Sequence, residues 1–222
     1  MVDVRYRLVV RRYKQGWREA EYRAYEVDVD PDTSVLDALE KVSLEQDPTL
    51  TFEHACHHGV CGACGMVING VERLACVTRI GEVARGGVVV VEPLRGFRVV
   101  SDLAVDKSRM FSQYALVEPG TLERVDGVVE LEKLFDCVEC GVCYSACPIA
   151  NTFPEYLGPS VIALAYRSSK DGKVPAVLDS RRGVWACHAA FECSVRCPVG
   201  FKPGETIMKV RRGFLSGKLG VR

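Results

Sequence analysis

Cysteine is the residue type through which this chain can do chemistry. Eleven of its 222 residues carry thiols that become soft, anionic metal ligands when deprotonated. The first group is Cys56-x4-Cys61-x2-Cys64, followed after eleven intervening residues by Cys76. The spacing of its first three cysteines matches the plant-type pattern for a 2Fe-2S cluster, and four thiolates complete the ligand set. Gly59, Gly62 and Gly65 fall within the loop, where backbone freedom lets N–H groups approach the cluster sulfurs. Zinc is the alternative ion for four thiolates, although gaps of four and eleven residues around one tight loop are unlike paired zinc knuckles. His57 and His58 share the loop. A Rieske centre would replace two cysteines by histidines, whereas all four cysteines are present here, so both histidines are read as exposed loop residues.

The second group, Cys137-x2-Cys140-x2-Cys143-x3-Cys147-Pro148, reproduces the bacterial ferredoxin run, in which three thiolates bind one cluster and the fourth reaches another. The third, Cys187-x5-Cys193-x3-Cys197-Pro198, is the same run with Ala190 standing where the middle cysteine would be. Exchanging fourth ligands between the runs assigns Cys137, Cys140, Cys143 and Cys197 to a 4Fe-4S cluster. It leaves Cys147, Cys187 and Cys193, three thiolates that suit a 3Fe-4S centre; a 4Fe-4S cluster with one non-cysteine ligand is the alternative. The three sets use every cysteine. An odd number of cysteines in a chain whose opening residues form no secretion signal also argues against a closed set of disulfides.

Three cluster types in one small chain make sense as a relay of single electrons from a two-electron donor to a distant acceptor. No G-x-G-x-x-G fingerprint follows a strand, so the flavin or nicotinamide that meets substrate belongs to another polypeptide. The chain reads as a subunit.

Two scaffolds must position these groups, because four cysteines lie between Cys56 and Cys76, seven between Cys137 and Cys197, and none in the sixty residues between. Arg5 to Tyr13 and Glu21 to Val29 are strand-like on either side of Lys14-Gln15-Gly16, which predicts a hairpin. Ser34 with Asp37 resembles a capping box opening a helix through Val35, Leu36, Leu39 and Val42. Asn69-Gly70 between two apolar runs predicts a second hairpin, and Val88 to Val91 a further strand. From Asp102 the pattern turns helical, with Leu103 to Leu116, Val161 to Lys170 and Gly204 to Gly217 as candidate helices. The expected architecture is α+β: a β-grasp 2Fe-2S ferredoxin-like domain over residues 1–102 and an α-helical ferredoxin domain over 103–222.

Lys+Arg and Asp+Glu both number 29, and a net charge of zero supplies no excess of cations to collect nucleic-acid phosphates. The longest aliphatic run, Val88 to Val91, is far short of the roughly 20 residues that cross a bilayer. Residues 201–222 hold six basic side chains against Glu205 alone, a solvated face or one turned to a membrane or anchoring partner. Two asparagines and three glutamines in the whole chain resemble a thermophile's usage.

These cluster spacings, together with Asn69-Gly70-Val71-Glu72-Arg73-Leu74-Ala75-Cys76, Pro93 to Asp106 and Gly183-Val184-Trp185-Ala186-Cys187, resemble the iron-sulfur subunit of the succinate dehydrogenase and fumarate reductase family. The resemblance extends over nearly the whole chain. It implies docking on an FAD-bearing flavoprotein that interconverts succinate and fumarate, with electrons passing through 2Fe-2S, 4Fe-4S and 3Fe-4S to quinone. It also implies membrane-anchor subunits that hold the complex at the cytoplasmic face of a prokaryotic membrane. For the quinone pocket it points to Pro148, His188, Ala190 and Arg211. This sequence departs from the family in having Ile149-Ala150-Asn151-Thr152 after Pro148, where an aromatic residue is frequent. Arg211 replaces a customary lysine, and Glu53-His54 stands where a basic residue is usual. The iron-sulfur subunit of another flavoprotein oxidoreductase and a zinc-stabilised interaction module are the competing readings.

Overall fold

The computed structural model describes residues 3–117, 137–167 and 172–221. The chain divides into two units, 1–106 and 107–222, four residues beyond the division expected from the sequence.

In the first unit, β1 (Val4–Arg12) and β2 (Glu21–Val29) form an antiparallel hairpin. Side chains alternate across a strand, so Tyr6, Leu8 and Val10 of β1 and Tyr25, Val27 and Val29 of β2 share one buried face. The helix α1 (Val35–Glu45) covers that face with Val35, Leu36, Ala38, Leu39 and Val42. Ser34 caps it, its Oγ accepting the Asp37 N–H at 3.0 Å. A second hairpin joins β3 (Gly65–Ile68) to β4 (Val71–Leu74) across Asn69-Gly70, both residues at positive φ as such a turn requires. After the short helix α2 (Ile80–Val83), β5 (Val88–Glu92) enters the middle of the sheet, parallel to β1 and antiparallel to β3. The order β2-β1-β5-β3-β4 is the β-grasp arrangement, a mixed sheet with a helix laid across it.

Leu103 to Leu116 is not one helix. The small hairpin of β6 (Arg98–Ser101) and β7 (Ala104–Asp106) occupies its start, and α3 (Ser108–Ala115) begins only afterwards. Asp102 decides this, because it turns the chain at φ 47 and sends its carboxylate inward.

That carboxylate belongs to a buried ionic network. Arg12 stands at the last inward position of β1 and is fully buried, 3.0 Å from Asp102 and also paired with Asp47. Lys14 reaches Asp102 at 2.6 Å, and Asp102 accepts the N–H groups of Tyr13 and Thr51. The network fixes Thr51, the point from which the first cysteine loop departs. Burial alone would raise the Asp102 pKa, but hydrogen bonds from Lys14 and these two N–H groups, with the Arg12 guanidinium ion-paired beside it, hold it below the ordinary value. Asp47 is lowered in the same way, with Thr49, Tyr25 and Arg12 outweighing burial. Carboxylates with depressed folded pKa values contribute their full stability above the unfolded value near ~4 and lose it as pH falls. Arg12→Met should therefore cost about 3–5 kcal/mol, because it leaves buried carboxylates short of a partner. Denaturant unfolding of the loaded chain checks this, and an unchanged midpoint would refute it.

The second unit is built from helices. Those described are α3, α4 (Val142–Ser145), α5 (Pro148–Thr152), α6 (Pro159–Arg167), α7 (Glu192–Val195) and α8 (Pro203–Leu215), with β8 (Lys173–Val174) beside β9 (Gly220–Val221). Val161, Ile162 and Ala165 of α6 and Ile207 and Val210 of α8 are fully buried where these helices pack. The expected continuation of α6 to Lys170 lies outside the described residues.

Candidate metal centres

Each cysteine run makes a loop whose sulfurs turn inward, and α4 and α7 follow at corresponding places. In the first run Glu139 and Gly141 flank Cys140 with φ values of 51° and 81°. In the second, Ala189 and Phe191 flank Ala190 with 55° and 59°. Left-handed backbone is uncommon for residues other than glycine, so its recurrence at matched positions marks one loop geometry used twice. Ala190 thus stands where the first loop carries the Cys140 thiol.

The fold sorts the seven sulfurs into two cavities. Cys137, Cys140, Cys143 and Cys197 line one, together with Ser160, whose hydroxyl is 2.9 Å from that of Tyr114. Cys147, Cys187 and Cys193 line the other, with Pro148, His188 and Ala190 among its neighbours. Arg211 is not in that lining. Its guanidinium donates to the carbonyls of Val184, at 2.8 Å, Trp185, at 3.2 Å, and Cys187, and lies over the Trp185 ring. It clamps the segment that delivers Cys187, a role that sequence reasoning missed because carbonyl acceptors leave no signature in side-chain types.

The thiols fit iron better than they fit an empty pocket. Burial pushes the Cys140 pKa up to about 11, with further upward pressure from negative charge on Cys137 and Cys197. Burial likewise takes Cys193 to about 12, with Cys147 and Cys187 adding to the effect. Cys143, Cys147 and Cys197 are raised as well, chiefly by burial. Crowded, desolvated thiols resist ionisation until a cation shares them, and a set of sulfur donors alone suits iron-sulfur clusters.

In the first unit Cys56, Cys61, Cys64 and Cys76 come from the loop after Thr51 and from the 3-10 turn Ala75–Val77. The Cys56 sulfur accepts the N–H groups of His58, Val60 and Cys61 at 3.3–3.4 Å, which draw its pKa down to about 6. Cys76 is driven to about 12, first by burial and then by Cys64 beside it. Gly59 and Gly62 adopt φ of 73° and 70°, while Gly65 instead opens β3 as extended backbone. His58 is exposed, but His57 is not an idle loop residue: its ring is half-buried between Asp37 and Glu40.

Comparison with known proteins finds two cluster-binding families in succession along the chain. Residues 7–112 match the family described as a 2Fe-2S iron-sulfur cluster binding domain, and 133–201 match the 4Fe-4S dicluster domain. The chain is 35% identical over 222 aligned residues to the fumarate reductase iron-sulfur subunit of Mycobacterium tuberculosis, covering 91% of this chain and 90% of that relative. It is 33% identical over 208 residues to the mitochondrial succinate dehydrogenase [ubiquinone] iron-sulfur subunit of Candida glabrata, covering 85% and 82%. Its fold is similar to a chain of the Mycobacterium smegmatis Sdh1 complex in the apo form, with a TM-score of 0.84, 24% identity and coverage of 97% and 98%.

Proposed function

The chain belongs to the iron-sulfur subunits of the succinate dehydrogenase and fumarate reductase family, and from that premise we propose that it carries electrons between an FAD flavoprotein acting on succinate or fumarate and a quinone. Cys56, Cys61, Cys64 and Cys76 hold a 2Fe-2S cluster, Cys137, Cys140, Cys143 and Cys197 a 4Fe-4S cluster, and Cys147, Cys187 and Cys193 a 3Fe-4S cluster. When bound, the clusters supply one-electron transfer, and their differing potentials give it direction. The observation that carries the ligand assignment is the grouping of seven sulfurs as four around one cavity and three around another.

The chain's own residues bind and orient. Three N–H groups hold the Cys56 sulfur as an anion, and Arg211 holds the backbone that presents Cys187 and His188. His188 is exposed and borders the second cavity beside Pro148 and Ala190, a place from which an imidazole can hydrogen-bond a quinone oxygen and pass it a proton. Arg211 serves this region as a positioning residue. Among the described residues no helix is long and apolar enough to cross a membrane. Family membership supports the reading that membrane-anchor subunits hold the complex at the cytoplasmic face of the cell membrane.

The test is to assay the loaded chain with and without its flavoprotein. Alone it should oxidise no succinate, and turnover by the flavin-free chain would refute the reading. In the complete complex, His188→Ala should lower quinone reduction by about a hundredfold, the lower end of what a positioned proton donor supplies. Reduction of an artificial acceptor at the flavoprotein should be retained. Equal loss in both assays would make His188 a support of the fold.

A further inference from the structure

We propose that Glu40, His54 and His57 bind a divalent transition-metal ion of the zinc class, at a place distinct from the three cysteine groups. Their donor atoms converge. His54 Nδ1 lies 3.0 Å from Glu40 Oε1, His57 Nε2 lies 3.3 Å from the same oxygen, and the two ring nitrogens are 3.3 Å apart. Ligands at about 2.0–2.1 Å from tetrahedral zinc stand about 3.3 Å from one another, so these three atoms already outline one face of that tetrahedron. Two imidazoles and one carboxylate form a donor set that zinc accepts, with the fourth position left to water.

The surroundings of His57 fit the same site. Its other ring nitrogen, Nδ1, lies 3.3 Å from Asp37 Oδ1. With Nε2 on a metal ion shared with His54 and Glu40, Nδ1–H would donate to Asp37. Carboxylate behind histidine behind metal is the usual support for a zinc ligand. Asp37 is itself held, its Oδ2 accepting the Ser34 hydroxyl at 2.7 Å.

Each donor sits on fixed backbone. Glu40 and Asp37 lie three residues apart on α1 and so share a helix face. His57 holds a left-handed φ of 58°, and Phe52 packs against the His54 ring with centroids 5.2 Å apart. The side chains of His54, Glu40 and His57 are 39%, 28% and 33% exposed, open enough for an ion to enter. The ion would clip the first cysteine loop to α1. This site depends on no part of the electron-transfer reading.

The experiment uses the full chain with its clusters loaded and its iron and sulfide counted. It is titrated with zinc sulfate by calorimetry, and its bound zinc is examined by X-ray absorption. One zinc per chain should bind, with nitrogen and oxygen donors only and iron unchanged. His54→Gln combined with His57→Asn should abolish that binding; asparagine is chosen because it tolerates left-handed backbone. Glu40→Gln, which leaves the loop untouched, should weaken binding at least about tenfold, and Asp37→Asn about 10–100-fold. Absence of binding, zinc with sulfur ligands, or equal affinity in wild type and Glu40→Gln would overturn the proposal.

Discussion

In the Ala190→Cys variant, the EPR signal of a 3Fe-4S centre in the oxidised protein is expected to vanish and one more iron per chain to be retained. The backbone is already shaped for it. Left-handed residues flank Ala190 as they flank Cys140, and Ala190 lines the cavity that holds Cys147, Cys187 and Cys193. A thiol at that corner gives a fourth iron a ligand, and its negative charge disfavours reduction, so the potential should fall. A fall of ~120 mV would shift a one-electron equilibrium about a hundredfold, and quinone reduction should slow accordingly. EPR, iron analysis and redox titration read this directly. An unchanged signal in a folded variant would mean that Ala190 does not face the vacant corner. Wild-type protein without the signal would refute the three-cysteine assignment itself.

Gly183→Ala should be nearly as damaging, for a steric reason. A methyl group there would sit 2.1 Å from the Leu178 carbonyl oxygen and 2.6 Å from its carbon. Both are backbone atoms, so no rotamer change relieves the contact and the chain must move. The segment that would move is the one Arg211 grips, Val184 to Cys187, which delivers a sulfur to the second cavity. The cost should reach about 3 kcal/mol, the upper end for forcing an atom into a packed site. That is a large share of the roughly 5–15 kcal/mol by which domains are stable. Unfolding experiments and iron content check this together. Wild-type stability with full iron would show that the backbone yields cheaply.

Much of this protein was legible in the sequence because its chemistry is written locally. Ligands two or three residues apart are brought close by a single turn, so Cys137-x2-Cys140-x2-Cys143 declares its purpose whatever surrounds it. The first hairpin, α1 and the Asn69-Gly70 turn were likewise readable, since alternation, capping and turn chemistry act over a few residues. Tertiary structure decided what local pattern cannot encode. The pairing of β1 with β5 joins Arg7–Val10 to Val88–Val91, and nothing in either strand names the other. The inward charge of Arg12 looked like one more basic residue until Asp47 and Asp102 were brought to it, and Asp102 turned an expected helix start into a hairpin. Arg211 binds carbonyls, which every residue has, and His57 acquires two carboxylate neighbours only because α1 passes beside its loop. These are contacts between distant segments. Packing of whole elements selects them, so residue spacing fixes the ligands each loop offers, while the fold determines which charges and backbone groups surround them.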